Sequence, residues 1–520
     1  MVGKPALQLM LFLVMLSGIV QFAAFAMSQQ YLIAAMGAQS EDITFALQMS
    51  YVGILAMLPL HFRLIRYFQV RNYLISAISM GIVLSVACMY TTDLVTFDIL
   101  RFFQGCVVCM ICGTMLMMLS TYLKASYRQI AAPSIFYGTI LSSGTLIGIV
   151  FSAIALNDNW KEIYSYLIIF QAFSLLLVII IFNPDSGMKP FPLYQIDWTG
   201  SVFFLTAGCS LAYTLIYGSK YYWLSDPGIR FSCCLFVLML LLFLFRSATL
   251  KRPLISISAF RYKKFWVGLI LLALYYGIKD SLNLIFGYTA TVLQWSQGQV
   301  MTLGLINVAG VAFFMLIAGM LILKNKTFVP LILVSGFALL LIYHLWMYRI
   351  FTPDLSFSNL LAPVFLQGAA SGLIFVPIMI FTLSALPPST GVTGLIVAAY
   401  VRFITVLNVS AGFYNLQTYY SQLFKESFLS HLGSVDFAAG ERLQQYKQLF
   451  IAMGMAPGQA ENLANLNLNK ALSIQSQLLG YRAIFLTLGI MVAIILALMF
   501  IIGIIAALKK KLQPGVQSKS

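Results

Sequence analysis

FWVGLILLALYYGIKDSLNLIFGYTATVL, residues 265–293, is long enough to cross a bilayer with some tilt, and it holds Lys279 and Asp280 near its middle. A Lys or Asp at the centre of a membrane helix costs roughly 2.5 to 3.5 kcal/mol. Two further apolar stretches hold Arg101 and Arg402 at internal positions. Left unpaired in lipid, four such charges would cost roughly 10 to 14 kcal/mol, comparable to a whole folding free energy. They must pair, face a wet cavity, or both.

The surrounding chain has 520 residues, of which 61% are hydrophobic and 9% charged. A soluble protein carries about 25% charged residues. The apolar residues fall in blocks separated by short polar stretches, which predicts an all-α polytopic membrane protein. Fourteen spans are expected: 9–27, 43–60, 72–90, 98–123, 133–156, 163–182, 198–218, 228–246, 265–293, 300–323, 329–350, 359–383, 391–414 and 482–508.

The net charge of +16 is unevenly placed. Lys and Arg divide 19, 9 and 3 between the side of the N-terminus, the opposite side and the spans, whereas Asp and Glu divide 2, 12 and 1. This is the positive-inside bias, so both termini are expected in the cytoplasm. The basic loops therefore orient the chain, and no nucleic-acid partner is implied. All seven cysteines lie in spans, which gives no disulfide framework. The spacing of Cys106, Cys109 and Cys112 suits close helix packing and not a metal, since no His or carboxylate neighbours it. No nucleotide-binding loop, metalloprotease motif or nucleophile–base arrangement is present, so neither an enzyme nor an ATP-driven pump is expected, and no cofactor.

Along the chain, Glu41 and Asp42 sit where Ser40 could cap the second span. Arg101 lies just inside the fourth, with Gln104 one turn deeper on the same face, and a start near Asp98 would let Arg101 snorkel outward. Gly138, Gly144 and Gly148 in the fifth offer close helix packing and a contact on which two halves could rock. Phe102-Phe103-Gln104-Gly105 recurs as Phe365-Leu366-Gln367-Gly368, each in the fourth span of a six-span block. A duplication with a two-span insert accounts for this, giving a six-span bundle over 1–186, inserted spans over 187–252 and a second bundle over 253–520.

In the ninth span Asp280 shares a helix face with Tyr276, Asn283 and Gly287, and Lys279 points about a quarter-turn away. Arg402 falls at roughly the midplane of the thirteenth, leaving Arg402 and Lys279 both open as partners for Asp280. His344 reads as a packing residue. Residues 415–481 form the long outer segment, with apolar residues at helical spacing and a helix start at Pro457.

These residues resemble the fourteen-span drug:proton antiporters of the major facilitator superfamily, in the branch that supplies the inner-membrane pump of tripartite multidrug exporters. Arg101, Gln104 and Gly105 resemble the family's R-x-x-Q-G motif, and Asp197-Trp198-Thr199-Gly200 its D-x-x-G. Pro253-Leu254 with Phe260-Arg261 resembles the approach to its ninth span, and Leu386-Pro387 through Gly394 to Arg402 its thirteenth. Met453-Gly454-Met455-Ala456-Pro457-Gly458-Gln459-Ala460 is similar to the outer loop of the tripartite branch. The chain departs from the pattern in lacking the first-span aspartate, the Gly and Asp of the loop after the second span, and the fifth-span proline. Asp280 is thereby the one carboxylate inward of a span's ends.

The resemblance implies a bacterial inner-membrane exporter of lipophilic or amphiphilic small molecules, driven by protons, working with a periplasmic adaptor and an outer-membrane channel. Asp280 would exchange the proton, with Lys279, Arg101 and Arg402 as charge partners. Gln104, Asn283 and Gln367 would line the cavity, and Tyr275, Tyr276, Tyr288, Tyr400 and Phe403 an aromatic substrate pocket. An exchanger or importer of an anionic metabolite also fits, because the intramembrane charges sum to +2. A non-transporting scaffold or receptor is the remaining class, and it requires the four charges to be dispensable.

Overall fold

The computed structural model describes residues 4–122, 139, 147, 161–183, 192–250, 253–387, 390–431 and 437–512. Among them are fifteen α-helices: α1 Lys4–Met36, α2 Ser40–Phe68, α3 Val70–Tyr90, α4 Leu94–Tyr122, α5 Lys161–Ile181, α6 Trp198–Tyr217, α7 Pro227–Thr249, α8 Lys263–Lys279, α9 Leu282–Thr291, α10 Gln297–Lys324, α11 Val329–Ile350, α12 Phe357–Ser384, α13 Gly391–His431, α14 Phe437–Ala452 and α15 Pro457–Leu512. Thirteen stretches of the described residues are long and apolar enough to cross a membrane. The expected span 133–156, with Gly138, Gly144 and Gly148, lies outside the described residues.

Helices α1 to α5 pack on one another, and α8 to α15 do likewise. The pair α6–α7 lies beside α2 and α13, and α2 meets α13 where the two groups touch. Each group has a close crossing that glycine makes possible. In the first, a Cβ on Gly53 would strike the Phe102 carbonyl oxygen of α4, and one on Gly105 the Ser50 carbonyl oxygen of α2. In the second, a Cβ on Gly310 would strike the Phe365 carbonyl oxygen, and one on Gly368 the Asn307 carbonyl oxygen. The repeated Gln-Gly dipeptides thus mark the same helix–helix contact twice, and small residues let the backbones approach.

Helix ends follow local chemistry. Helix α4 begins at Leu94, four residues before the expected start, because the Asp93 carboxylate accepts from the Thr96 amide at 2.8 Å. At α2 the Gln39 amide donates to Asp42 at 3.0 Å, so the capping acid is Asp42 and the cap residue Gln39, not Ser40. Asp197 caps α6 by accepting from the Gly200 amide at 2.9 Å, and its carboxylate pairs with Arg246 of α7 at 2.7 Å. The D-x-x-G motif is thus the cap of α6 and its tie to α7.

Helices α13 and α15 have 41 and 56 residues. At about 1.5 Å per residue they run roughly 60 and 84 Å, against about 30 Å of hydrocarbon. Segment 415–481 is therefore formed largely by two spans continuing unbroken, with the short α14 between them. Gly454, at φ 88°, ends α14 by donating from its amide to Ile451 while the Met455 amide donates to Phe450. Pro457 then opens α15, as expected. Lys447 and Glu461 pair at 2.8 Å and join α14 to α15.

Candidate functional site

The stretch 265–293 is a broken helix. Helix α8 stops at Lys279, α9 starts at Leu282, and Asp280 and Ser281 form the break. Their dihedrals, −71°/−2° and −54°/−20°, are those of a tighter turn. The Asn283 and Leu284 amides accordingly bond three residues back, to Asp280 and Ser281. This leaves the Lys279 carbonyl without its usual helical partner, and Gln367 Nε2 of α12 donates to it at 3.1 Å. Gln367 Oε1 in turn accepts from Asn307 Nδ2 of α10 at 2.6 Å. On the other side, Ser281 meets His344 of α11 at 3.2 Å.

Lys279 Nζ and Asp280 Oδ1 pair at 3.1 Å, with side chains 16% and 13% exposed. Of the two partners open to Asp280, the structure thus joins Lys279. The quarter-turn separation does not keep them apart, because the helix ends there and the long lysine stem folds back. Arg402 of α13 lies 5.3 Å from the ring centres of Tyr276 and Phe403, within cation–π range. Tyr51 of α2 completes the group. It feels the charges of Asp280, Arg402 and Lys279, and its ring lies 5.7 Å from Phe403 and 4.8 Å from Phe22 of α1. The two halves of the molecule therefore meet at the charged break.

Arg101 lies elsewhere. It is 1% exposed, bonds Gln104 of its own helix and stacks 3.9 Å over the Phe25 ring of α1. Its charge acts on Tyr164 of α5 and Cys88 of α3. The earlier start of α4 sets it two turns into the helix, so it does not snorkel. Among the described residues, the contacts of Arg101 and Gln104 stay within α1 to α5 and do not reach the break, because the α4 face that carries them is packed there.

Gln367 braces the break, and Asn283 is exposed. Of the five expected pocket aromatics, Tyr275, Tyr276 and Phe403 lie at the charged group, and Tyr288 and Tyr400 pack elsewhere. Tyr275 and Tyr276 are buried neighbours, their rings 5.1 Å apart. Tyr288 packs on Phe351 and Tyr481. Tyr400 stacks on Phe204 of α6 at 4.8 Å, in an apolar cavity of about 370 Å³ lined also by Phe243, Trp266 and Leu269. Phe403 and Tyr276 lie against Arg402, and Tyr275 and Tyr276 both stand near the Lys279 charge. Sequence reasoning missed Tyr51, Ser281 and Asn307; His344, read as a packing residue, is buried between Tyr343 and Phe485 with its two ring nitrogens at Leu340 and Ser281. Asn307 was findable, since Asn307-x-x-Gly310 stands opposite the second Gln-Gly dipeptide as Ser50-x-x-Gly53 stands opposite the first. No group of three or more His, Cys, Asp or Glu able to hold a metal occurs among the described residues.

No family model matches the chain. Over 79% of its length it superposes on 90% of a POT family transporter in complex with 5-aminolevulinic acid, with a TM-score of 0.59 at 12% identity. Over 78% it superposes on 90% of the xylose transporter XylE from E. coli, with a TM-score of 0.51 at 14% identity. The fold is that of the major facilitator superfamily. Among curated proteins, the chain is 24% identical over 240 residues to the colistin resistance protein EmrB of Acinetobacter baumannii, covering 46% of each. It is 25% identical over 202 residues to the multidrug export protein EmrB of Escherichia coli, covering 37% of this chain and 38% of that one. The match thus spans less than half the length of these curated relatives. They agree with the drug:proton antiporter resemblance carried by the motifs. These relatives are transporters and not enzymes, and the chain is a multi-pass membrane protein.

Proposed function

We propose that this protein is a secondary transporter that exports lipophilic or amphiphilic compounds in exchange for protons. The observation that carries the reading is the break of a membrane helix at Asp280, faced by Arg402 from its own half and Tyr51 from the other. Broken helices that place charge near the midplane, between two bundles, are how alternating-access transporters build their sites. The chemistry is a carboxylate with two cations in reach. Taking up a proton removes the anion that balances Lys279 and leaves two positive groups at the interface. Losing the proton restores the pair, so the charge at the interface depends on which side Asp280 last exchanged with.

The bundles would be residues 1–186 and 253–520, with 187–252 inserted and both termini cytoplasmic in a bacterial inner membrane. The projecting α13–α15 hairpin would meet a periplasmic adaptor, itself docked to an outer-membrane channel. Transport of an organic anion is the second reading, favoured by the net positive charge left by Lys279, Arg402 and Arg101 against Asp280.

Proton release from purified, reconstituted protein on adding rhodamine 6G and a panel of lipophilic drugs tests both, wild type beside Asp280→Asn. Release by the wild type and at least about tenfold less by the variant is expected. Equal release by both would remove Asp280 from the coupling. Binding of organic anions without any release by lipophilic compounds would favour the second reading.

A further inference from the structure

We propose that His344 is the positioning residue of the charged break, holding Asp280 in place through Ser281. The proposal rests on the transport reading for its consequence but not for its geometry. His344 is fully buried on α11. Its Nδ1 lies 2.7 Å from the Leu340 carbonyl oxygen, one turn back on the same helix. A carbonyl only accepts, so Nδ1 carries the hydrogen. The neutral ring then has a lone pair at Nε2, and the Ser281 hydroxyl, 3.2 Å away, donates to it. The acceptor is thereby fixed in direction by a bond on the far side of the ring.

The ring itself cannot slide. Tyr343 and Phe485 stand 4.8 and 5.5 Å from it, centre to centre, and a Cβ on Gly489 of α15 would lie 3.6 Å from the His344 Cβ. Ser281, fully buried, is the residue next to Asp280. The break is thus gripped from both sides. Gln367 of α12 holds the carbonyl of Lys279, and His344 of α11 holds the hydroxyl of Ser281. Asp280, between those two anchors, pairs with Lys279. A helix interrupted in hydrocarbon must have its freed polar groups satisfied by neighbours. Here those neighbours also fix where the carboxylate sits.

The test uses the full chain in lipid nanodiscs. With histidine labelled by nitrogen-15 and His344→Gln as the assignment control, the His344 ring should give a neutral, Nδ1-protonated signal whose Nε2 resonance moves in Ser281→Ala. A signal protonated at Nε2, or one unmoved by Ser281→Ala, would overturn the bond. Hydrogen exchange then tests the positioning. Ser281→Ala and His344→Phe should each speed amide exchange at residues 281–284 about tenfold, leaving the interiors of α10 and α12 unchanged. His344→Gln, which offers an acceptor oxygen near the Nε2 position, should restore most of the protection. Phe and Gln variants behaving alike, or exchange rising throughout α8 to α12, would reduce His344 to a packing residue.

In rhodamine 6G transport, Ser281→Ala should lower kcat about fivefold with KM within about twofold, and the double variant with His344→Phe should lose no more. Additive losses, or a change in KM alone, would overturn the proposal. Should His344→Phe fail to fold, Ser281→Ala carries the same comparison with one oxygen removed. Absence of any transport by the wild type would sink the transport reading alone, while the resonance and exchange results would still decide the grip on the break.

Discussion

In the first bundle, Gly53 and Gly105 bring α2 against α4; in the second, Gly310 and Gly368 do the same for α10 and α12. Beside each crossing a buried glutamine precedes the glycine, and here the two diverge. Gln104 turns to Arg101 on its own helix, and the charge is closed over by Phe25. Gln367 reaches off its helix, to Asn307 and to the exposed carbonyl of the broken span. One scaffold therefore supports a sealed charge in one half and a braced opening in the other. The two crossings share the contacts that their backbones need, and the polar side chains beside them differ.

The largest expected effect tests the shared part. Gly105→Leu and Gly368→Leu each drive a side chain into a facing backbone carbonyl, which only a helix shift can relieve. Overpacking of this kind, with backbone displaced, costs upwards of about 3 kcal/mol. Folded yield by size-exclusion chromatography should fall at least about tenfold for both. Gly412→Ala on α13, where nothing lies within 4 Å of the added Cβ, is the control and should leave yield unchanged. A loss at only one crossing would break the equivalence of the two halves.

That equivalence was legible in the sequence because it is local. Four-residue strings with glycine at a fixed place, and apolar blocks of membrane length, report directly on packing and solvent. The break was not legible, because nothing in KDSLN breaks a helix. No Pro or Gly stands there, and the groups that meet the interruption are 88 and 63 residues away, Gln367 donating to the freed Lys279 carbonyl and His344 bonding the Ser281 hydroxyl. The same limit explains the misplaced Arg101. An arginine inside a span looks alike whether it faces a cavity or its own bundle, and only Phe25 and the earlier start of α4 decide. The separate packing of Tyr288 and Tyr400 has this cause too, since periodicity gives a face of one helix and not what that face meets.

An intermediate effect tests the divergence. Gln367→Leu removes one of the two bonds from the Asn307 amide, the other going to the Val364 carbonyl, and removes the brace on Lys279, two inter-helix bonds in a dry setting. A cost of about 1–3 kcal/mol is expected in thermal unfolding. Transport should fall with it, because Asp280 lies beside the loosened carbonyl. Gln104→Leu removes one bond within a helix and leaves Arg101 its contact with Phe25. Because that bond is to a buried charge, about 1.5–3 kcal/mol is expected in thermal unfolding, with transport within about twofold of wild type. Equal losses of transport would mean that Arg101 and Gln104 belong to the transport site after all, and the sealed-charge reading would fail.

The smallest effect concerns how the paired fourth helices begin. Helix α4 starts on Asp93, whose exposed carboxylate accepts from the Thr96 hydroxyl at 2.7 Å and its amide at 2.8 Å. Those hydrogen bonds, the hydroxyl's first, hold its pKa below the ordinary carboxylate value. Helix α12 starts on Ser356, whose hydroxyl turns to Ser358 at 3.0 Å and makes no cap bond. The sign of the pH effect follows from the depressed value. In the unfolded chain Asp93 titrates near about 3.9. The stabilisation is therefore complete above that pH and disappears as pH falls through the lower, folded value. Asp93→Asn keeps a capping side chain but not the charge, so its unfolding temperature should lie slightly below wild type at pH 6. The gap should close as the pH is taken down towards 3. Ser356→Ala should show no gap at either pH. A gap at Asp93 that survives acid would mean that the carboxylate acts through its shape alone, and the two helix starts would differ in strength but not in kind.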